Sequence, residues 1–358
     1  MVVDKNNKVE DYKFKKGNLN FAVIGHVEWI NFLKVDQLPK PGVISHSEKS
    51  LEYPAGGGSI IAKILSDLTL NQIHFFTSLG NDDYGDKCFK ILSNMGIKLH
   101  VAWRDKPTRR GFSLIDSQGE RAITVIGERL APTHKDNLEW NILKKMDGIF
   151  ITASDSEIFK MARSASILCT TPRVGLNTIN NSNVLLDGLI GSNLDPGEVF
   201  SFSELSLKPK YTIKTEGEKG GIIFPGGRYK ALKNKKLKVD SYGCGDSFAA
   251  GILYGMASKW DIDKSLNLAK VMGRDASEFF GPYANNSKNN WFKTYMSNLD
   301  NKNKNLLVEN IILFFLFTVF LVFKSLKTLS KIFTYGIIKK EILTTKSDLG
   351  VDIKIKIK

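Results

Sequence analysis

Cysteine is scarce in this chain. The three present, Cys88, Cys169 and Cys244, form no C-x-x-C pair and are odd in number. That excludes a disulfide framework and a zinc ribbon, and it predicts a reducing, cytoplasmic setting. Histidine is nearly as rare: the five, at 26, 46, 74, 100 and 134, show no metal-ligand spacing. "HVE" at 26–28 opens like the H-x-E of zinc deaminases, but no P-C-x-x-C follows it. No G-x-x-x-x-G-K-[ST] occurs, so a P-loop is not what would handle phosphates here. The first 18 residues are polar and mixed in charge, without the apolar stretch of a signal peptide, and read as an N-terminal extension. Internal repeats are absent as well.

What is present points to a globular body. With 358 residues, 42% hydrophobic and 25% charged, the chain can bury a full core. The net charge of +14 raises the question of nucleic acid, but +7 of it lies beyond residue 300. The body carries no basic stripe interleaved with aromatics, so no nucleic-acid partner is expected.

From about 19 to 285 short apolar runs alternate with helical patterns. The segments 20–25, 72–80, 147–153, 183–191 and 211–217 read as buried strands, each ending in glycine or a small polar residue. Helices are expected over 58–68, 83–95, 245–257 and 262–279. This alternation predicts an α/β fold with a mainly parallel sheet covered on both faces. In such sheets ligands collect beyond the carboxyl ends of the strands. Two segments, 34–47 and 98–129, carry Pro-Gly and Gln-Gly turns between strand-like runs and predict a small β flap over the site, drawn from about 27–50 and 98–128. The globular body is expected to end near 292, leaving a Lys-rich tail over 293–358.

Within that tail, 306–323 is strongly apolar and is followed by Lys324, Lys327 and Lys331. Its uninterrupted core, 311–323, is shorter than the roughly 20 residues that span a bilayer. Membrane association through this segment, packing against the body or a partner, and an extension without a role all stay open.

The densest chemistry lies at 240–255, "DSYGCGDSFAAGILYG". A glycine-rich turn running into a helix aims several backbone N–H groups at one place, and the helix dipole adds roughly half a positive charge. Asp246 at that helix start is by itself an ordinary cap. Two glycines ahead of it, with the small Cys244 between them, suggest a base beside a phosphate. Cys244, at a helix N-terminus, is read as a small-residue substitution, with a lowered pKa and oxidisability as the alternative.

"VDSYGCGDSFAAGILYG" resembles the signature of the ribokinase-like (PfkB) carbohydrate kinase family, Asp-Thr-x-Gly-Ala-Gly-Asp followed by a small-residue helix. Ser241 stands where Thr is usual and Cys244 where Ala is usual. Other segments follow in the family's order. "PAGGGSIIA" (54–62) resembles its di-glycine motif, and "SLGNDDYGDKCFKILSNMGI" (78–97) its Gly-x-Asp turn before a helix. "GSNLDPGE" (191–198) falls where the family keeps an Asn-x-x-Glu metal motif, and "KTEGEKGG" (214–221) resembles its Thr-x-Gly-x-x-Gly nucleotide loop.

The resemblance implies a three-layer α/β/α fold with a β-stranded lid, and transfer of the γ-phosphate of ATP to a hydroxyl of a sugar. Asp246 would be the general base, with the amides of Gly243, Cys244 and Gly245 as the anion hole. Thr215, Gly217 and Gly220, with Ser192 and Asn193, would hold the nucleotide. Magnesium would be held through water by Asp195 and Glu198, since this ion keeps waters and takes one or two carboxylates with phosphate oxygens. A monovalent cation and a homodimer paired through the lid are further family features.

Substrate recognition departs most from the family. The di-glycine pair falls at Gly56 and Gly57 or one residue earlier, and Ile60 stands where an asparagine would bind a sugar hydroxyl. Glu28, beside Trp29, takes the place of the acid or amide after the first strand. Either the substrate is less polar on Ile60's side, or Glu28, His26 and the flap arginines do the work. Among Arg104, Arg109, Arg110, Arg121 and Arg129, of which Arg110 is singled out, one or two would contact an anionic substrate; otherwise they form a solvated β surface. A nucleoside kinase is the alternative enzyme, with Trp29 and Ile60 packing on a base. A weakly catalytic, membrane-tethered sensor or scaffold is the alternative outside catalysis.

Overall fold

The computed structural model describes residues 18–234 and 237–283. The apolar segment 306–323, with the tail and the first 17 residues, lies outside the described residues. In chain order the elements are β1 (Phe21–Ile24), β2 (Glu28–Val35), β3 (Ser47–Ala55), α1 (Gly57–Leu68), β4 (Ile73–Gly80), α2 (Asp83–Asn94) and β5 (Ile97–Arg104). β6 (Arg110–Ile115), β7 (Arg121–Ile126), β8 (Gly148–Ile151), α3 (Ser156–Ala162), β9 (Ile167–Thr170) and α4 (Leu176–Ser182) follow. The chain then runs through β10 (Gly188–Ser192), β11 (Tyr211–Thr215), β12 (Gly221–Phe224), β13 (Gly227–Tyr229), α5 (Cys244–Ala257) and α6 (Ile262–Ala276).

A nine-stranded sheet has the order β13-β12-β11-β10-β9-β8-β1-β4-β5. From β11 to β5 every pairing is parallel, and β12 and β13 close one edge as an antiparallel hairpin. β1, "FAVI", lies inside it between β8 and β4 with all four residues buried, which is why the run is apolar without alternation. Successive side chains point to opposite faces. Ala22 and Ile24 pack with Ile158, Phe159 and Ala162 of α3 and Ile179 of α4. On the other face Phe21 stacks on Tyr254 of α5, their centroids 6.0 Å apart. The result is three layers.

Small residues let α5 and α6 approach closely. A Cβ added at Gly251 would lie 2.7 Å from the Ala269 Cα, and one at Gly255 would lie 2.4 Å from the Ser265 Oγ. That contact explains the "SFAAGILYG" pattern: α5 is buried on nearly every side.

The second sheet, β3-β2-β6-β7, is the lid. β2 pairs parallel to β6 and antiparallel to β3, and β6 pairs antiparallel to β7. Two expectations shift here. Residues 98–104 belong to β5, the edge of the large sheet paired to β4 in parallel, so the lid draws on 110–126 and not on the whole of 98–128. The strand expected over 183–191 begins only at Gly188, because Asn183, at φ 51°, forms the left-handed cap of α4.

Candidate active site

The anion loop and the di-glycine segment meet at Asp246. Gly243, at φ 74°, turns the chain into α5, and Asp246 follows in the first turn. Gly56, at φ 95°, does the same for α1. A Cβ at Gly57 would lie 2.6 Å from Asp246 Oδ1, so only glycine leaves the carboxylate its place. Two helix N-termini thus face one carboxyl group. Tyr242 ties the segments together, its hydroxyl accepting a hydrogen bond from the Gly56 N–H at 3.2 Å. Gly245 is exposed, with nothing within 4 Å of a Cβ built on it.

Burial pushes the Asp246 carboxyl up to about 6, against the lowering pull of Arg173; Glu198 and Glu28 raise it further, and Arg121 lowers it. A carboxylate so tuned is half-ionised near pH 6 and an effective acceptor of protons at neutral pH. The Cys244 thiol moves the other way from a reactive one: burial pushes it up to about 12. Its place is that of a small side chain.

Arg173, in a turn after β9, joins the next group. Its guanidinium binds both Asp195 and Glu198. Glu198 is buried, and its Oε2 accepts from the Ser192 N–H at 2.6 Å. Asp195 also accepts from the Gly197 N–H at 2.9 Å. Among the described residues no cluster of three or more His, Cys, Asp or Glu side chains could cage a metal. Two carboxylates side by side are nevertheless the hard oxygen donors that suit magnesium held through waters and phosphate oxygens.

Ser192 ends β10 and Thr215 ends β11, and the two are paired in register. The Asn193 N–H donates to the Thr215 carbonyl at 2.9 Å, and its amide donates to Glu216 at 3.0 Å. Gly217 (φ 58°) and Gly220 (φ 94°) form the turn beyond, where a Cβ at Gly220 would strike the Tyr229 carbonyl at 2.0 Å. The five residues expected to hold a nucleotide are therefore one surface at neighbouring strand ends.

On the lid side Glu28 opens β2 and is buried. Its Oε1 lies 3.3 Å from Arg109 Nη1 and 3.6 Å from His26 Nε2. Burial, and the charges of Arg129, Arg109 and Arg173, hold His26 well below the usual imidazole range, so it is neutral. A Cβ at Gly56 would touch its ring at 3.1 Å.

Three sequence expectations meet a different geometry. Ile60 is not at a substrate surface: it is 1% exposed and packs beneath the loop, its Cδ1 3.0 Å from where a Gly243 Cβ would be. Arg110 lies over the Tyr84 ring, 5.1 Å from its centroid, while its neighbour Arg109 reaches Glu28. Adjacent residues of an extended chain point opposite ways, and sequence alone gave no phase for this strand. Trp29 is 4% exposed, donates its indole N–H to Glu52 at 3.3 Å and tilts against Tyr84, so no face is left for a base. Arg173 was missed altogether, because an arginine after "TTP" carries no motif; only its partners in space disclose it.

A mainly parallel sheet with a four-stranded mixed lid, and a carboxylate between two glycine-started helices, define an enzyme of the ribokinase-like architecture. The model of the pfkB family carbohydrate kinases matches residues 18–171 and 203–283, and the chain belongs to that family. Its members are phosphotransferases with an alcohol group as acceptor. An ATP-dependent ribose-1-phosphate kinase of Halopiger xanaduensis is 23% identical over 270 residues, 70% of this chain and 88% of that protein. A nucleoside kinase of Methanothermobacter thermautotrophicus is 22% identical over 277 residues, 72% and 87% of the two chains. The structure of Arabidopsis thaliana ribokinase complexed with ribose and ATP superposes with a TM-score of 0.57 at 16% identity, covering 74% of this chain and 94% of that one.

Proposed function

We propose that this protein transfers the γ-phosphate of ATP to a hydroxyl of a small carbohydrate, with Asp246 as the general base. The observation that carries the reading is the placement of Asp246: a carboxyl pushed up to about 6, at the N-terminus of α5 and against Gly57 at the N-terminus of α1. Asp246 takes the proton as the hydroxyl oxygen attacks in line. The amides of Gly243, Cys244 and Gly245, at the positive end of α5, face the charge that grows on the transferring group. Thr215, Gly217, Gly220, Ser192 and Asn193 bind the nucleotide, as ATP binding in the Arabidopsis relative supports. Asp195 and Glu198 hold the hydrated magnesium, which when bound supplies neutralisation of phosphate charge. Glu28 orients the acceptor.

A nucleoside acceptor draws support from the nucleoside kinase relative but not from Trp29, whose faces are taken. A tethered scaffold draws none from the family match, which ends at 283, short of the apolar tail segment. Three free thiols, none in a disulfide, suit a cytoplasmic enzyme. The exposed apolar side chains of Phe112, Ile123, Val125 and Ile126 support a homodimer paired through the lid.

The test is ATP consumption by the full chain against sugars and nucleosides, with Asp246→Asn beside it. Positioned bases contribute about 10²- to 10⁴-fold, so the variant is expected to lose at least about 10²-fold in kcat with its circular dichroism intact. Near-normal turnover by the variant removes Asp246 from the role.

A further inference from the structure

The arginines of this chain differ in what they hold, and Arg110 and Arg121 rest on the Tyr84 ring and on Ser241. Arg104 binds both oxygens of Asp136, each at 2.6 Å, and the Ala131 carbonyl at 3.0 Å. Arg163 binds Asp187 and three carbonyls, Arg274 binds Asp275, and Arg173 binds Asp195 and Glu198. Arg109 and Arg129 are different. Arg109 has one contact, through Nη1, to a Glu28 oxygen that His26 also approaches. Arg129 has no carboxylate within ion-pairing distance among the described residues; its Nη1 donates to the Arg173 carbonyl at 3.1 Å. The Nε–H of each is buried without an acceptor. Orphan donors of this kind are rare in native proteins, and a desolvated guanidinium without a counter-charge is costly.

Both sit at the edge of the lid: Arg109 immediately before β6 and Arg129 shortly after β7. Their charges reach His26, whose ring lies against Gly56, and the next residue, Gly57, lies against Asp246. The arginine pair and the base therefore flank the N-terminus of α1, itself a positive end. Ser192, Asn193 and Thr215 belong to other strands, β10 and β11, beyond Arg173. Arg109, on Glu28, is thus on the acceptor's side, while Arg129 bonds the Arg173 carbonyl and feels the charges of Arg109, Glu28 and Glu198.

We propose that the acceptor carries a phosphate group besides the hydroxyl it offers, and that Arg109 and Arg129 bind that group. The inference rests on the kinase reading above and narrows it to sugar phosphates. A guanidinium fork matches phosphate oxygens bidentately, and an anion between two forks supplies the acceptors that both side chains lack. Glu28, held by Arg109, keeps its second oxygen for a hydroxyl. The lid then closes on charge, which a neutral pentose cannot provide.

The test uses the full chain with ATP and magnesium, comparing D-ribose with ribose 1-phosphate and ribose 5-phosphate, in the wild type and in Arg109→Met, Arg129→Met and Arg129→Lys. A phosphorylated sugar is expected to exceed ribose in kcat/KM by about 10- to 100-fold, the span of one or two charge-assisted hydrogen bonds. Either methionine variant should remove most of that advantage through the KM of the sugar phosphate, leaving the KM of ATP within about twofold; the lysine should restore part of it. Equal or better use of ribose overturns the inference and leaves the kinase reading standing. So does a rise in the KM of ATP alone, which would assign both guanidiniums to the nucleotide. If no acceptor is turned over, calorimetric titration of the two sugar phosphates decides separately. Binding that Arg129→Met abolishes upholds the anion site while the kinase reading falls, and absence of binding overturns the site.

Discussion

Asp246 connects acidity, rate and stability in one side chain. With its carboxyl near 6, kcat/KM should fall about tenfold per pH unit below that value and level off above it, since only the ionised form accepts a proton. Arg173 opposes the rise, so Arg173→Met is expected to move the limb to higher pH; an unmoved limb would mean another group titrates. The same shift has a sign for folding. The folded protein holds the Asp246 proton up to about 6, whereas an unfolded chain releases it near 3.8. Ionisation therefore opposes folding in full above about 6 and not at all well below 3.8. Asp246→Asn should stabilise the fold at pH 8 by on the order of 3 kcal/mol, read as a higher melting temperature, with the gain shrinking as pH falls from 6 toward 4. A loss of stability at pH 8 would show that the carboxylate is a structural partner and not a strained one.

At the scale of elements, α5 carries both Asp246 and a close helix contact with α6. Gly255→Ala would press a methyl into Ser265, 2.4 Å from its Oγ and 2.7 Å from its Cα, and the backbone has little room to yield. Thermal unfolding should show about 1–3 kcal/mol of destabilisation, as overpacking commonly costs; a neutral result would mean that α6 slides freely. These elements were the legible ones. α1, α2 and α6 each have a long stretch of one period, α5 is a run of small and apolar residues after a glycine turn, and β1, β4 and β8 are largely apolar runs bounded by glycine or polar residues. What sequence did not disclose was short or polar. α4 is "LNTINNS", seven residues of weak helix formers held by packing of Ile179, and β9, α3, β12 and β13 offer four, seven, four and three residues to any pattern. The site divides the same way. The glycines and Asp246 follow from local spacing, while Arg173 and the choice of Arg109 over Arg110 depend on which strand ends meet in space.

At the scale of the whole molecule, the lid leaves apolar side chains outside. Phe112 of β6 and Ile126 of β7, 40% and 44% exposed, lie on the face away from Arg121, and the register sets them opposite Thr124 and Arg110. If lids pair, the wild-type chain should sediment as a dimer and Phe112→Asp with Ile126→Asp should sediment as a monomer; a wild-type monomer at micromolar concentration overturns the pairing. The inner side of the lid has a separate role. Arg121, the first residue of β7, donates to both the carbonyl and the hydroxyl of Ser241, two residues before the turn into α5, and lies over the Tyr242 ring at 5.6 Å. Lys34 of β2 reaches the Val239 carbonyl at 3.5 Å, and Glu120 pairs with Lys238 at 2.5 Å.

Those clasps carry a consequence for fidelity. An enzyme that activates a hydroxyl toward ATP stands always beside water, the most abundant hydroxyl there is. Because the lid grips the segment leading into the amide turn, lifting it from an empty site also releases the backbone that steadies the reaction. If the chain is the kinase proposed above, wasteful hydrolysis is then restrained by the same strand that clasps Ser241.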